Sequence, residues 1–190
     1  RRLSITEPVL YQHFTSKETL WSEVKRQCRF PFSEWEQLVH KAAPSSRQFL
    51  VITGMLVWGI TLGRRPGSLE AVSRHGQILR LLGHGLFETE GPLCWHQEHS
   101  SHTILPWWML SYHAALEAGD LSLSGVSDEP LWLAFRQMLG LGLMEAGQPH
   151  LSVTWDTEKE RFTHLSRNVL LGLGVKEEVV RRNFSFAKMA

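Results

Sequence analysis

The stretch Ile5 to Leu20, ITEPVLYQHFTSKETL, constrains this chain more than any other. Thr6 is a good helix N-cap, because its hydroxyl can accept from an amide one turn in that has no other partner. Glu7 sets negative charge at the positive end of the helix dipole. Pro8 is tolerated in a first turn whose N–H groups are unpaired anyway. Val9, Leu10, Tyr11, His13 and Phe14 follow, and Ser16 then supplies a new cap at once. Lys17, Glu18, Thr19 and Leu20 open the next helix, which Leu20, Val24 and Cys28 continue as an apolar stripe at four-residue spacing. The first helix is therefore a stub of about two turns. A stub of that length, between a polar turn and a long helix, buries little. Its sequence must serve something besides the chain's own core.

Setting a helix N-terminus into the DNA major groove is such a use. The run Ile5-Thr6-Glu7-Pro8-Val9-Leu10-Tyr11-Gln12-His13-Phe14-Thr15-Ser16-Lys17-Glu18-Thr19-Leu20 resembles the signature of TetR-type (tetracycline-repressor-like) transcriptional regulators. That signature reads apolar, Ser/Thr, three variable positions, Leu-Tyr-x-His/Tyr-Phe, then x-Ser-Lys-Glu-x-Leu. The resemblance implies that residues 1–20 are the C-terminal part of a helix-turn-helix DNA-binding head. It implies Leu10, Phe14 and Leu20 in the head's core and Thr6, Glu7, Pro8 and Val9 against base edges. Tyr11, His13 and Lys17 would lie on phosphates. The chemistry is consistent: Lys17 and the free amides of its helix's first turn make an anion site, and Tyr11 and His13 can donate to phosphate oxygens. The plainer reading of Tyr11 and His13 is as surface residues of a small helical head.

The family pattern implies roughly thirty to forty further residues upstream, carrying the first helix and most of the second. Only Arg1, Arg2 and Leu3 precede Ser4, and the first residue is not Met. The expectation is a chain truncated at its N-terminus that binds DNA poorly by itself.

Composition sets bounds on the partners. Net charge is only +1 over 190 residues, so a generic polyanion binder is excluded. Any DNA contact needs a local basic face, to which Arg1, Arg2, Lys17, Lys25 and Arg26 contribute. Two cysteines, Cys28 and Cys94, make no disulfide framework, and a cytoplasmic location is the simplest expectation. The longest uncharged stretch in the first half, Phe49 to Gly63, is shorter than the roughly 20 residues that span a bilayer. It reads as a helix buried on all sides, and no membrane partner is expected.

The dominant period along the chain is helical and no run alternates like a strand, which predicts an all-α fold. Residues 21–190 read as a helical effector-binding and dimerisation domain. The helix opening at Lys17 meets Phe30-Pro31-Phe32 and resumes with Trp35, Leu38, Val39 and Ala42, as one kinked helix or as two helices. Ala43 to Ser46 is a turn and cap before a helix from Arg47 to Leu62. Another helix is expected at Leu69 to Leu82. One from about Glu98 to Ala118 is bent at Pro106 and ended by Gly119 as its C-cap. Its ending, Leu116-Glu117-Ala118-Gly119-Asp120-Leu121, also resembles the family's body domain, more weakly than the head motif does. Two further helices, near Pro130 to Ala146 and Glu158 to Leu173, carry apolar stripes. The resemblance implies that these pair with their copies across a twofold axis, through Leu131, Phe135, Met138, Gly142, Phe162, Leu165 and Val169. The alternative is that these stripes face only the chain's own core. Lys176 to Asn183 reads as a short exposed helix, and Phe184 to Ala190 as a tail that frays or docks on a partner.

Eight tryptophans are many for this length. Aromatic side chains with a few polar handles suit a pocket for a small apolar or aromatic effector. The candidate lining is Trp58, Leu79, Trp95, His99, His102, Trp107 and Tyr112. Cys94, His96, His99 and His102 form a loose metal candidate with no well-spaced carboxylate, so no metal and no cofactor are expected. Glycine-rich phosphate loops, nucleophile elbows and Cys/His motifs of known spacing are missing, which argues against an enzyme. The sequence thus points to a homodimeric regulator, more simply a repressor, that an effector releases from operator DNA. The alternative is a helical ligand- or metal-binding module without DNA binding in this form.

Overall fold

The computed structural model describes residues 9, 12–27, 39–62, 104–122, 127–147 and 157–184. They are helical, with no strand among the described residues, so the expected all-α fold is observed. The chain divides into two compact units, Arg1–Pro31 and Phe32–Ala190. The division falls in the Phe30-Pro31-Phe32 stretch, where the sequence places a kink or a break. It groups the helix after Ser16 with the smaller unit, whereas a boundary at Leu20 would cut that helix.

In the smaller unit, Val9, Gln12 and His13 have helical backbone, and α1 spans Lys17–Gln27. Ser16 caps it: the Thr19 amide donates to Ser16 Oγ at 3.2 Å, and the Leu20 amide donates to the Ser16 carbonyl at 3.1 Å.

The larger unit is built around α2, Ser46–Val57, which packs against three other helices. Ser45 is its N-cap, accepting from the Gln48 amide at 3.3 Å. Phe49, Leu50, Ile52, Leu56 and Val57 are buried, and only Val51 among its large apolar residues is exposed. At Trp58–Leu62 the helix widens into a π turn. Three contacts fit this segment. Thr61 Oγ1 donates to the Val57 carbonyl at 2.6 Å, and Arg161 Nη2 donates to the Thr61 carbonyl at 3.2 Å. Gly142 lies directly on the Ile60 carbonyl.

Helix α3 spans Ile104–Glu117. Pro106 stands in its first described turn, where a missing N–H costs little. The helix ends at Gly119, with φ +71°. The Gly119 amide bonds the Leu116 carbonyl and the Asp120 amide bonds the Ala115 carbonyl, each at 3.0 Å. This is a Schellman ending, so the Gly119 C-cap expectation holds. Helix α4 spans Glu129–Gly147 and α5 spans Glu158–Gly172, with Thr157 as the N-cap of α5. The end of α5 repeats the device: Gly174 has φ +77°, and Gly174 and Val175 bond back to Leu171 and Leu170. The two endings then pair. Leu121 and Val175 form an antiparallel bridge, with Ser122 N to Gly174 O at 2.8 Å and Lys176 N to Asp120 O at 3.0 Å.

Helix α6, Glu177–Asn183, was expected to be exposed, but it buries Val179 and Val180. Phe184 stacks on Phe162, with ring centroids 5.7 Å apart, so this part of the tail docks on its own chain. Among the described residues, no helix is long and apolar enough to cross a membrane. Residues 28–38, 63–103, 123–126, 148–156 and 185–190 lie outside the description. So does the expected helix at Leu69–Leu82, and the helix expected from about Glu98 with a bend at Pro106 is described only from Ile104, running on through Pro106 to Glu117.

Candidate functional site

The first candidate surface is the smaller unit. Val9, His13 and Lys17 are all exposed. Lys17 is the first residue of α1, beside amides that have no intrahelical acceptor. The Glu18 carboxyl is held below the usual carboxylate range, first by a hydrogen bond from Ser16, then by its own backbone amide and by Lys17. Glu23 and Arg26 form a two-pronged pair on the same helix, at 2.5 and 2.7 Å, so the Arg26 charge is already matched. Thr6, Glu7, Pro8 and Tyr11 lie outside the described residues.

The second candidate is the aromatic body. Of the expected effector-pocket residues, Leu79, Trp95, His99 and His102 lie outside the described residues. The other three do not share one set of neighbours. Trp58, at the far end of α2, meets Phe162 of α5 edge-on at 5.5 Å. Trp107 packs against His40, just before α2, at 4.3 Å. Tyr112 is fully buried and packs on Phe49 at 5.4 Å.

Around Phe49 and Tyr112 runs a polar seam that joins the segment before α2 to α3. Gln48 Nε2 donates to the Val39 carbonyl at 2.7 Å and to the Ala42 carbonyl at 3.2 Å, and Gln48 Oε1 accepts from Ser111 Oγ at 3.1 Å. One turn further on, Trp108 Nε1 donates to Thr53 Oγ1 at 2.8 Å, and Thr53 Oγ1 donates to the Phe49 carbonyl at 2.8 Å. The sequence reading did not single out Gln48, Thr53 or Ser111. The available signal was a glutamine and a threonine inside a helix that is otherwise apolar all round.

The third candidate is the surface of α4 and α5. Leu131, Phe135, Met138, Gly142, Phe162 and Val169 are buried within the chain itself, and Leu165 is half-buried. These stripes therefore serve the chain's own core. The large apolar side chains left outside are Leu133 (59% exposed), Leu141 and Met144 (64% exposed) on α4, and Leu171 on α5.

No group of three or more His, Cys, Asp or Glu side chains converges as a metal site among the described residues. Cys94, His96, His99 and His102 lie outside them. No protein-family model, curated protein or solved structure matches the chain.

Proposed function

We propose that this chain is a ligand-responsive, one-component transcriptional regulator of the TetR type, working as a homodimer on operator DNA. One observation carries the reading: the Ile5–Leu20 run, with its Ser16-capped helix and outward-facing His13 and Lys17. Phosphate contacts need outward cations at a helix start, and the exposed Lys17, first residue of α1, supports such a contact. The smaller unit is the DNA-binding head, and the larger unit binds a small, largely apolar effector. Repression is the simpler sign of control. Binding of the effector must favour one arrangement of the two heads over the other, otherwise it cannot release DNA.

Two heads must reach half-sites about one helical turn apart, which calls for a twofold dimer. Leu133, Leu141 and Met144 on α4 and Leu171 on α5 supply its apolar surface. The residues first expected there brace this surface from behind.

The test is to isolate the full-length regulator from its own cells and sequence the DNA that co-purifies. Enrichment of one inverted repeat supports the reading, and DNA recovered without sequence preference removes it.

A further inference from the structure

Tyr112 carries the one buried side-chain polar atom on α2 and α3 that is left without a partner among the described residues. Its neighbours in the polar seam are satisfied: Trp108 by Thr53, Thr53 by Phe49, and Gln48 by Val39, Ala42 and Ser111. An unpaired buried hydroxyl is costly, and phenylalanine would fill the same ring volume without that cost. Ser166 Oγ is also buried and unpaired. A serine on a helix has a fallback, however. One rotamer change brings it to the carbonyl a turn back, the bond that Thr53, Thr61 and Thr163 make here. The phenol oxygen, at the far end of a rigid ring, has no such recourse.

We infer that Tyr112 Oη donates a hydrogen bond to a neutral acceptor oxygen on a small apolar or aromatic guest, the effector of the larger unit. The guest must be largely apolar, because the Phe49 ring stands 5.4 Å from the Tyr112 ring and the Trp108 donor is already taken. The acceptor is neutral because the Asp128 carboxylate, paired through its Oδ1 with His113 Nε2 at 2.9 Å, is near enough to act on the phenol. Burial first, and the Asp128 charge second, hold the phenol above its ordinary range. The hydroxyl therefore keeps its proton and can donate, while the same carboxylate repels an anionic guest. This inference rests on the reading of the larger unit as effector-binding, and it is independent of the head.

The experiment is a ligand-observed NMR titration of the full chain with two probes of the same shape. Acetophenone carries a carbonyl oxygen, and α-methylstyrene has a methylene group in its place. The expected result is at least about tenfold tighter binding of acetophenone, since a site built around a donor rejects the analogue that lacks its acceptor. Tyr112→Phe is expected to keep or raise the melting temperature of the unliganded chain and to bind both probes alike. Equal binding by the unsubstituted protein, binding of neither probe, or a preference that survives in Tyr112→Phe overturns the inference. So does a Tyr112→Phe chain that melts lower without any probe preference, which identifies an ordered water as the partner. DNA takes no part in the titration, so failure of the regulator reading registers separately, in the operator experiment.

Discussion

Gly142 of α4 faces the backbone of Ile60 so closely that a methyl group at position 142 would lie 2.5 Å from the Ile60 carbonyl oxygen. The obstacle is backbone, inside a π turn that is also tied by Arg161, so it cannot swing aside as a side chain would. Gly142→Ala is therefore expected to destabilise the fold by about 1–3 kcal/mol, an overpacking cost that outweighs the helix propensity gained. Gly140, two residues earlier, has open space where a Cβ would go. Gly140→Ala is expected to stabilise by up to about 1 kcal/mol. Thermal melts of the two variants check the pair, and the opposite signs are the point of the comparison.

The proposed dimer separates two sets of residues on α4 in a way that mutation can read. Leu133 and Met144 are exposed, while Phe135 and Met138, on the same helix, are fully buried. Leu133→Arg with Met144→Arg is expected to convert a dimer into a folded monomer, seen by size-exclusion chromatography with light scattering. Phe135→Ala is expected to cost about 3–5 kcal/mol of stability through a core cavity, at any protein concentration. A double-arginine variant that stays dimeric would move the interface elsewhere.

Glu177 ties α6 to α5. It accepts from Arg167 at 2.5 Å and from Arg181 at 3.0 Å, and the two guanidinium groups hold its carboxyl below the ordinary value of 4.5. A depressed carboxylate contributes stability above its unfolded value, and that contribution is lost as pH falls through the folded value. Glu177→Gln is expected to flatten the acid limb of the stability curve below about pH 4.5 and to lower the melting temperature slightly at neutral pH. The group is exposed, so added salt is expected to shrink the difference between variant and unsubstituted protein. Melts across pH at two salt concentrations measure both effects.

Much of the fold is legible in the sequence, for local reasons. Ser16 and Ser45 cap helices because serine before a helical run accepts an otherwise unpaired amide. Gly119 ends α3 because a left-handed residue is needed there and glycine adopts it freely. The features not legible depend on partners far along the chain. Residues 47–62 read as one continuous helix, and the π turn at Trp58–Leu62 sits where Gly142 and Arg161, distant in sequence, meet it. Apolar periodicity shows which side of α4 and α5 is buried but not what buries it. Hence Phe135 and Met138 read as interface, with core as the alternative. Helix α6 read as exposed because Val179 and Val180 are a single apolar pair between charges, and only the fold supplies the surface they cover.

The most direct measurement of the regulator reading is the salt dependence of DNA binding by the full-length protein, followed by fluorescence anisotropy on the operator that co-purifies with it. Each phosphate neutralised adds about 0.9 to the slope of log affinity against log salt. Lys17→Ala is expected to weaken binding about equally across operator variants and to reduce that slope by about one. A slope and affinity unchanged by Lys17→Ala, in a protein that binds its operator, would contradict the placement of this helix start on the DNA backbone.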